Sequence, residues 1–238
     1  MDTRQKSART AGLLYLLLAF IGPFNTMYIP SRFIVRGDPA ATAERILSSE
    51  LLYRAGIVAD LASLVIFVLV VLALYRLLRD VDVQLARVMV ALVVVSVGLS
   101  FTALLLQAAP LVVLREADWL SVFDGAEREA LAMVFLRLRG QAITLAMAFW
   151  GLWLLPFGAL VFRSGFIPRV LGVLLVIAGV SYLVSSVTSL LVPDYGRVVS
   201  RWLLAPAAIG ELAIILWLAI RGVRPGPGPA ERTTAAWR

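Results

Sequence analysis

Six long apolar segments constrain this chain more than any other feature of its sequence. They occupy residues 10–28, 55–78, 88–114, 141–162, 170–192 and 202–220. Each is close to the length of about 20 residues that an α-helix needs to cross the hydrocarbon core of a bilayer. Because the hydrocarbon offers the backbone no hydrogen bonds, these segments must be helices. The sequence therefore predicts an all-α integral membrane bundle of six transmembrane helices, forming a single domain at residues 1–222.

The composition excludes most other classes of protein. Hydrophobic residues make up 61% of the 238 residues and charged residues 16%, whereas a soluble domain is about half apolar and about a quarter charged. The chain also has no His and no Cys. It therefore lacks the residues for disulfides, ordinary zinc sites, His- or Cys-ligated haem and His- or Cys-based catalysis. We predict no cofactor and no metal site.

The distribution of charge predicts the orientation of the bundle. With the N-terminus in the cytoplasm, twelve of the 22 basic residues fall on the cytoplasmic side and ten outside, against four and nine acidic residues. This favours an N-in/C-in topology in the cytoplasmic membrane of a prokaryote. Basic residues beside anionic lipid also explain the net charge of +7 without a nucleic-acid partner. The first apolar segment is too long for a signal peptide and lacks a clear cleavage site, so we interpret it as a retained span.

Two loops, both outside in this topology, are predicted to hold short helices. In the first loop, Asp38 followed by Pro39 is a favourable N-cap and first helical residue. In the third loop, Asp124 and Glu127 have the spacing of a capping box. A helix that begins there continues into the fourth span unless Gly140 interrupts it. The Pro- and Gly-rich residues 223–238 are predicted to be a disordered cytoplasmic tail.

Polar side chains inside the spans are the candidate functional residues, because such groups are expensive in hydrocarbon. Two carboxylates and three amides lie in the outer half of the spans or near the midplane, and two arginines lie near the outer ends. Their depths predict an outward-facing polar pocket between helices, with no catalytic residue assigned. The predicted members are Asp60, Glu211, Arg54, Arg139, Gln107, Gln141 and Asn25.

A structural interpretation of these residues has about equal weight. Asp60 can pair with Arg54 or Arg139, and Gln107 can link helices as a hydrogen-bonding group. Glu211 has no Arg within two turns of its own helix, so it is the better candidate for a site that accepts a proton. Asp60 is better placed for an ion pair.

Several short motifs are typical of a known group of membrane proteins. The most specific is the loop at 163–175, Arg-Ser-Gly-Phe-Ile-Pro-Arg-Val-Leu-Gly-Val-Leu-Leu; others are Gly-Asp-Pro-Ala-Ala-Thr at 37–42, Tyr53-Arg54, Asp60-Leu61 and Gly-Glu-Leu at 210–212. In these motifs the chain resembles the domain-of-unknown-function 4386 family of multi-pass prokaryotic membrane proteins. The family carries no assigned activity, so the resemblance implies fold and location only.

Three functions stay open at this point. The leading hypothesis is a non-enzymatic protein that binds or transports a small polar or amphipathic ligand in the predicted pocket, with the lipid bilayer as its surroundings. The alternative is a structural or accessory membrane subunit. A membrane-embedded, lipid-modifying enzyme with Asp60 and Glu211 as acid and base is less favoured, because no catalytic motif supports it. If both acids line one open cavity, the pocket is favoured; if each is paired and close-packed, the accessory role is favoured.

Overall fold

The structure is built from six long helices. The computed structural model describes residues 3–115 and 118–223, without the side chains of residues 3, 193–201 and 203. All regular structure in these ranges is helical, and six helices are long and apolar enough to cross a membrane. The predicted all-α class and the six spans are thus confirmed. The predicted tail, apart from its first residue, lies outside the described residues.

The elements follow the six predicted spans, with extensions at several ends. The first span is a continuous helix of three parts: α1 (Thr3–Pro23), a first π-helical segment (Phe24–Tyr28) and α2 (Ile29–Phe33). The other elements are α3 (Pro39–Ser48), α4 (Glu50–Leu78), α5 (Val83–Val113), a single 3-10 turn (Asp118–Leu120), α6 (Gly125–Ser164), α7 (Arg169–Leu191), α8 (Pro193–Leu216) and a second π-helical segment (Trp217–Arg221).

Side-chain caps define where three of these helices begin; at the start of α5, Asp82 Oδ1 accepts a hydrogen bond from the Leu85 N–H at 3.0 Å. Asp38 Oδ1 accepts a hydrogen bond from the Ala41 N–H at 2.9 Å at the start of α3. At the start of α6, the Glu127 N–H donates to Asp124 Oδ1 at 2.8 Å, and the Asp124 N–H donates to Glu127 Oε2 at 2.9 Å. Gly140 does not interrupt α6, which runs for 40 residues. At 1.5 Å per residue this is about 60 Å, so much of α6 lies beyond the hydrocarbon core.

The spanning helices form a ring. Each of α4, α5, α6 and α7 packs along the next helix in sequence, and α1 closes the ring by packing on α4 and on the second π-helical segment. The centre is filled by buried side chains from different helices, including Tyr15, Leu74, Met89, Trp153 and Leu175. Large apolar side chains are exposed on every spanning helix, as expected of a surface that faces lipid.

Four glycines bring α6 and α7 very close together. Gly151 of α6 lies opposite Gly179 of α7, and Gly158 lies opposite Gly172. A Cβ atom at any of the four would come within 2.5–2.8 Å of the carbonyl oxygen of the facing glycine. Small residues are the usual means by which membrane helices approach closely. Here they repeat every seventh residue on both helices, and the two repeats match in the antiparallel pair.

This contact predicts an asymmetric response to two alanine substitutions. Gly172→Ala places a methyl group against backbone atoms of α6, whereas a Cβ at Gly98 of α5 meets no atom within 4 Å. We expect Gly172→Ala to lower the free energy of unfolding by about 1–3 kcal/mol, as overpacking does. Gly98→Ala should leave it unchanged or slightly raised. Equilibrium unfolding of the purified protein in micelles measures both, and an equal loss would show that the glycine contact is unimportant.

Candidate functional site

Four of the predicted site residues meet around Arg139 of α6, which is 5% exposed. Its Nε donates to Gln107 Oε1 on α5 at 2.9 Å, and its Nη2 donates to the backbone carbonyl of Asn25 at 3.2 Å. The same Nη2 lies 4.0 Å from Asp60 Oδ2 on α4. We call Asn25, Asp60, Gln107 and Arg139 the Arg139 cluster. It joins the first π-helical segment to α4, α5 and α6.

Asn25 holds the first span against α4 at the turn that carries Asp60. With its amide nitrogen turned towards α4, Asn25 donates to the Gly56 carbonyl at 3.2 Å and accepts from the Asp60 N–H at 3.0 Å. A regular α-helix pairs these two backbone groups with each other. The amide therefore bonds to both partners of one backbone hydrogen bond of α4. This is a structural tie between two spans.

A tyrosine that the sequence analysis did not select also contacts this cluster. Tyr53 of α4 is buried, and its hydroxyl donates to the backbone carbonyl of Gln107 at 2.6 Å. The signal for Tyr53 was its hydroxyl beside an apolar run, because a buried phenol needs a partner.

The Arg139 cluster is closely packed. The adjacent cavity, lined in part by Tyr53, Gln107 and Arg139, measures about 10 Å³, and a cavity of roughly 10–15 Å³ holds one water. Gln107 Nε2 is buried with no partner among the described atoms, and a single ordered water would satisfy it. The Ser63 hydroxyl lies 3.5 Å from Asp60 Oδ1. This cavity is too small for a ligand larger than water.

Glu211 of α8 belongs to a second cluster. The Tyr182 hydroxyl of α7 donates to Glu211 Oε1 at 2.7 Å, and the Tyr15 hydroxyl of α1 donates to Oε2. Each carboxyl oxygen thus accepts one phenolic hydrogen bond, and no described basic side chain forms an ion pair with it. We call these three residues the Glu211 cluster. Tyr15 and Tyr182 were not selected from the sequence either. As for Tyr53, the available signal was a hydroxyl group beside or within an apolar segment.

Aromatic side chains of α6 hold the two tyrosines in place. The ring of Trp153 lies 6.1 Å from that of Tyr15 and stacks on Phe157 at 5.3 Å, and Trp150 meets Tyr182 edge-on at 6.3 Å. Trp153 is only 2% exposed, so it packs within the protein. The Glu211 cluster therefore links α1, α7 and α8, and its two tyrosines pack against the aromatic side chains of α6.

A groove lies between α4 and α5, at the ends of these helices nearest to Glu50 and Val113. Its volume is about 530 Å³, within the range of roughly 300–1,000 Å³ found for small-molecule sites. The walls are apolar, and the rim carries two arginines and a tryptophan. The lining residues are Ile57, Val58, Ala108, Leu111 and Val112 on the walls, with Arg54, Arg115 and Trp119 at the rim. We call this the α4–α5 groove.

One carboxylate joins the two arginines of the rim. Glu50 Oε1 accepts from Arg54 Nε at 2.6 Å and from Arg115 Nη2 at 2.9 Å. Arg54 follows Glu50 by four residues, so both lie on one face of α4. Neither Glu50 nor Arg115 was selected from the sequence. The i, i+4 spacing of Glu50 and Arg54 was the available signal, although it identifies a pair and not a groove.

The seven predicted residues are therefore divided in the structure. Four form the Arg139 cluster, Glu211 binds tyrosines, Arg54 lies at the rim of the α4–α5 groove, and the side chain of Gln141 is exposed on α6. Asp60 and Glu211, the two carboxylates inside the spans, share no bonding partner in the described contacts. Among the side chains that the structure describes, no three acidic groups converge on a point where a metal ion could bind.

Comparison with protein families shows which family the chain matches. Residues 10–222 match the family described as domain of unknown function DUF4386. The chain belongs to this family. The matched range includes both clusters and the α4–α5 groove, so these features lie within the DUF4386 domain of a multi-pass membrane protein. No characterised protein and no solved structure matches the chain.

The geometry predicts that Arg139 stabilises this DUF4386 protein more than Asp60 does. Arg139→Met removes the bonds to Gln107 and Asn25 and leaves the Asp60 carboxylate unpaired, which should lower the free energy of unfolding by about 3–5 kcal/mol. Asp60→Asn keeps the hydrogen bonds of Arg139 to Gln107 and Asn25 but removes its described acidic partner, so it should cost about 1–3 kcal/mol. Unfolding in micelles measures both. Arg137→Met, on the exposed face of the same helix, is the matched control, and equal losses at Arg139 and Arg137 would contradict the prediction.

The Glu211 cluster predicts tolerance of an isosteric change and sensitivity to loss of the phenols. Glu211→Gln retains one acceptor and can donate to the other tyrosine oxygen, so we expect the stability to stay within about 1 kcal/mol. Replacing both Tyr15 and Tyr182 by Phe removes both donors to a buried carboxyl and should cost about 1–3 kcal/mol. Thermal unfolding in nanodiscs distinguishes the variants. A larger loss for Glu211→Gln than for the double Phe variant would mean that the negative charge itself is needed.

Proposed function

We propose that this DUF4386 protein is a non-enzymatic membrane protein that binds a small amphipathic molecule in the α4–α5 groove. The observation that carries the proposal is the groove itself, which combines a volume of about 530 Å³ with apolar walls and a polar rim. Ligand sites are typically apolar clefts with a few polar groups that orient the ligand. An amphipathic molecule matches both parts, its chain on the walls and its headgroup at the rim.

The two carboxylates inside the spans support this location, because both are bonded to side chains outside the α4–α5 groove. Asp60 and Glu211 each have partners within the chain, and the cavity next to Arg139 holds no more than one water. A polar pocket built on both acids thus has little support. Arg54, which was selected from the sequence, lines a cavity large enough for a ligand.

The proposal includes an orientation. With the N-terminus and C-terminus in the cytoplasm of a prokaryote, α3 and the turn at Asp118–Leu120 lie outside, and the groove opens near the outer leaflet. The charge distribution along the chain supports this topology. The exposed Trp119 at the rim is suited to the interface between lipid and water. The ligand then enters from the bilayer and not from the cytoplasm.

A structural or accessory subunit is the second candidate. The criterion drawn from the sequence favours it, because the chain itself satisfies both acids within the spans and thereby ties the helices together. In that case lipid fills the α4–α5 groove without preference. The two candidates differ in whether the groove selects its occupant.

Filling the groove tests the proposal. Val58 and Val112 line the groove, whereas Val65 and Val94 lie outside the groove lining on the same two helices; all four are between 53% and 66% exposed. We expect Val58→Trp/Val112→Trp to reduce photolabelling by a single-chain diazirine probe in nanodiscs at least about fivefold, because the bulk occupies the ligand's space. The matched Val65→Trp/Val94→Trp protein should label as the wild type does. Equal labelling of both proteins, or wild-type labelling outside α4 and α5 by mass spectrometry, would refute the groove as the binding site.

A further inference from the structure

The rim of the α4–α5 groove has the composition of an anion site. Among the described residues, the charged side chains that line the groove are Arg54 and Arg115, and both donate to a single oxygen atom of Glu50. Each guanidinium carries five N–H donors in a planar fork, and in the described contacts Glu50 takes one from each. Within this group of three described side chains, two cations and one anion leave one positive charge in excess. An acidic headgroup would neutralise this excess positive charge.

Glu50 is placed where such a headgroup would bind. Its carboxylate already occupies the position between the two guanidiniums that an anion would choose, and it does so from the first turn of α4. The side chains of Arg54, Arg115 and Glu50 are 45%, 60% and 31% exposed. Exposed ion pairs are weak and exchange readily, because water screens them. A ligand can therefore displace Glu50 or share its donors.

Other headgroups match the rim less well. A cationic headgroup meets two guanidiniums and a carboxylate that is already bonded to both, so the rim repels it. A neutral headgroup accepts a hydrogen bond but gains nothing from the excess charge. The apolar walls on α4 and α5 also require that the ligand carry a hydrocarbon chain. The shape and charge together favour an amphipathic anion.

We infer that the α4–α5 groove selects a single-chain amphipathic acid from the bilayer, whose headgroup binds Arg54 and Arg115 in place of Glu50. This inference rests on the proposed function and specifies its ligand class. Arg54 and Arg115 determine the specificity of the site. Glu50 is an internal competitor that weakens binding and pairs with both arginines when the groove holds no acid.

The test compares two photoreactive probes of equal chain length in nanodiscs of phosphatidylcholine. One probe ends in a sulfonate, which stays ionised, and the other ends in an alcohol. Labelling is measured against the mole fraction of probe. For the wild type we expect the sulfonate to bind at least about fivefold more tightly than the alcohol, since charge-assisted bonds are the stronger kind. Equal binding would overturn the acid inference and leave the groove proposal standing.

Variants of the rim test the assigned roles. Arg54→Gln/Arg115→Gln should weaken sulfonate binding about tenfold and leave the alcohol unchanged. Glu50→Gln should strengthen sulfonate binding about two- to fivefold, the scale of an exposed ion pair, again without effect on the alcohol. Glu50→Ala, which cannot bond to either arginine, should behave in the same way. Weaker sulfonate binding in both Glu50 variants would overturn the competitor role.

Matched controls separate the local effect from net charge. Arg137→Gln and Glu44→Gln each remove one charge from an exposed side chain outside the groove lining. Both should bind the sulfonate as the wild type does, and a change equal to that of the rim variants would refute the rim as the site. Loss of sulfonate binding on adding phosphatidylglycerol, but not on adding an unlabelled single-chain acid, would show that the occupant is a two-chain lipid. If Val58→Trp/Val112→Trp leaves both probes bound, the proposed function itself fails.

Discussion

Hydrocarbon supplies no hydrogen bonds, and the architecture of this protein follows from that constraint. Every backbone group in the six spans must be satisfied within the chain, which is why all regular structure in the described residues is helical. The same demand extends to side chains. Arg139, Asn25 and Gln107 bond to one another or to backbone groups near helix irregularities, and Glu211 accepts two phenolic hydrogen bonds. Polar groups inside the bundle thus specify which helices meet, whereas apolar packing fills the space between them.

The fold was predictable from the sequence to the extent that it depends on local patterns. Apolar runs of bilayer length give the spans, and the Asp124 and Glu127 spacing gives the start of α6, because a cap involves neighbouring residues only. The close approach of α6 and α7 was not predicted. Gly151 and Gly172 contribute to it through the register of two helices, and no single helix carries that information. Two glycines spaced seven residues apart on each of two adjacent spans indicate a close contact only once the antiparallel pairing of the spans is known.

The candidate site was predictable in part for a related reason. Depth along each helix put Asp60 and Gln107 at similar heights, since rise per residue converts sequence position into depth, and in the structure both lie next to Arg139. Depth says nothing about which face of a helix a residue occupies. Glu211 therefore appeared to belong to the same pocket, although its partners are Tyr15 and Tyr182. Tyrosines escaped attention because they count as hydrophobic in composition while their hydroxyls behave as polar groups.

The contrast between buried and peripheral charge carries the functional argument. A charge buried inside the bundle is held by several bonds, as Arg139 is, and any exchange of partner would leave a buried polar group unsatisfied. Charges at the rim of the α4–α5 groove face water as well as protein, so Glu50 can release Arg54 and Arg115 at little cost. Reversible binding requires partners that can be exchanged. For that reason the buried charged residues, whose desolvation costs the most free energy, stabilise the bundle. The partly exposed charged residues at the rim of the groove are better placed to recognise a ligand.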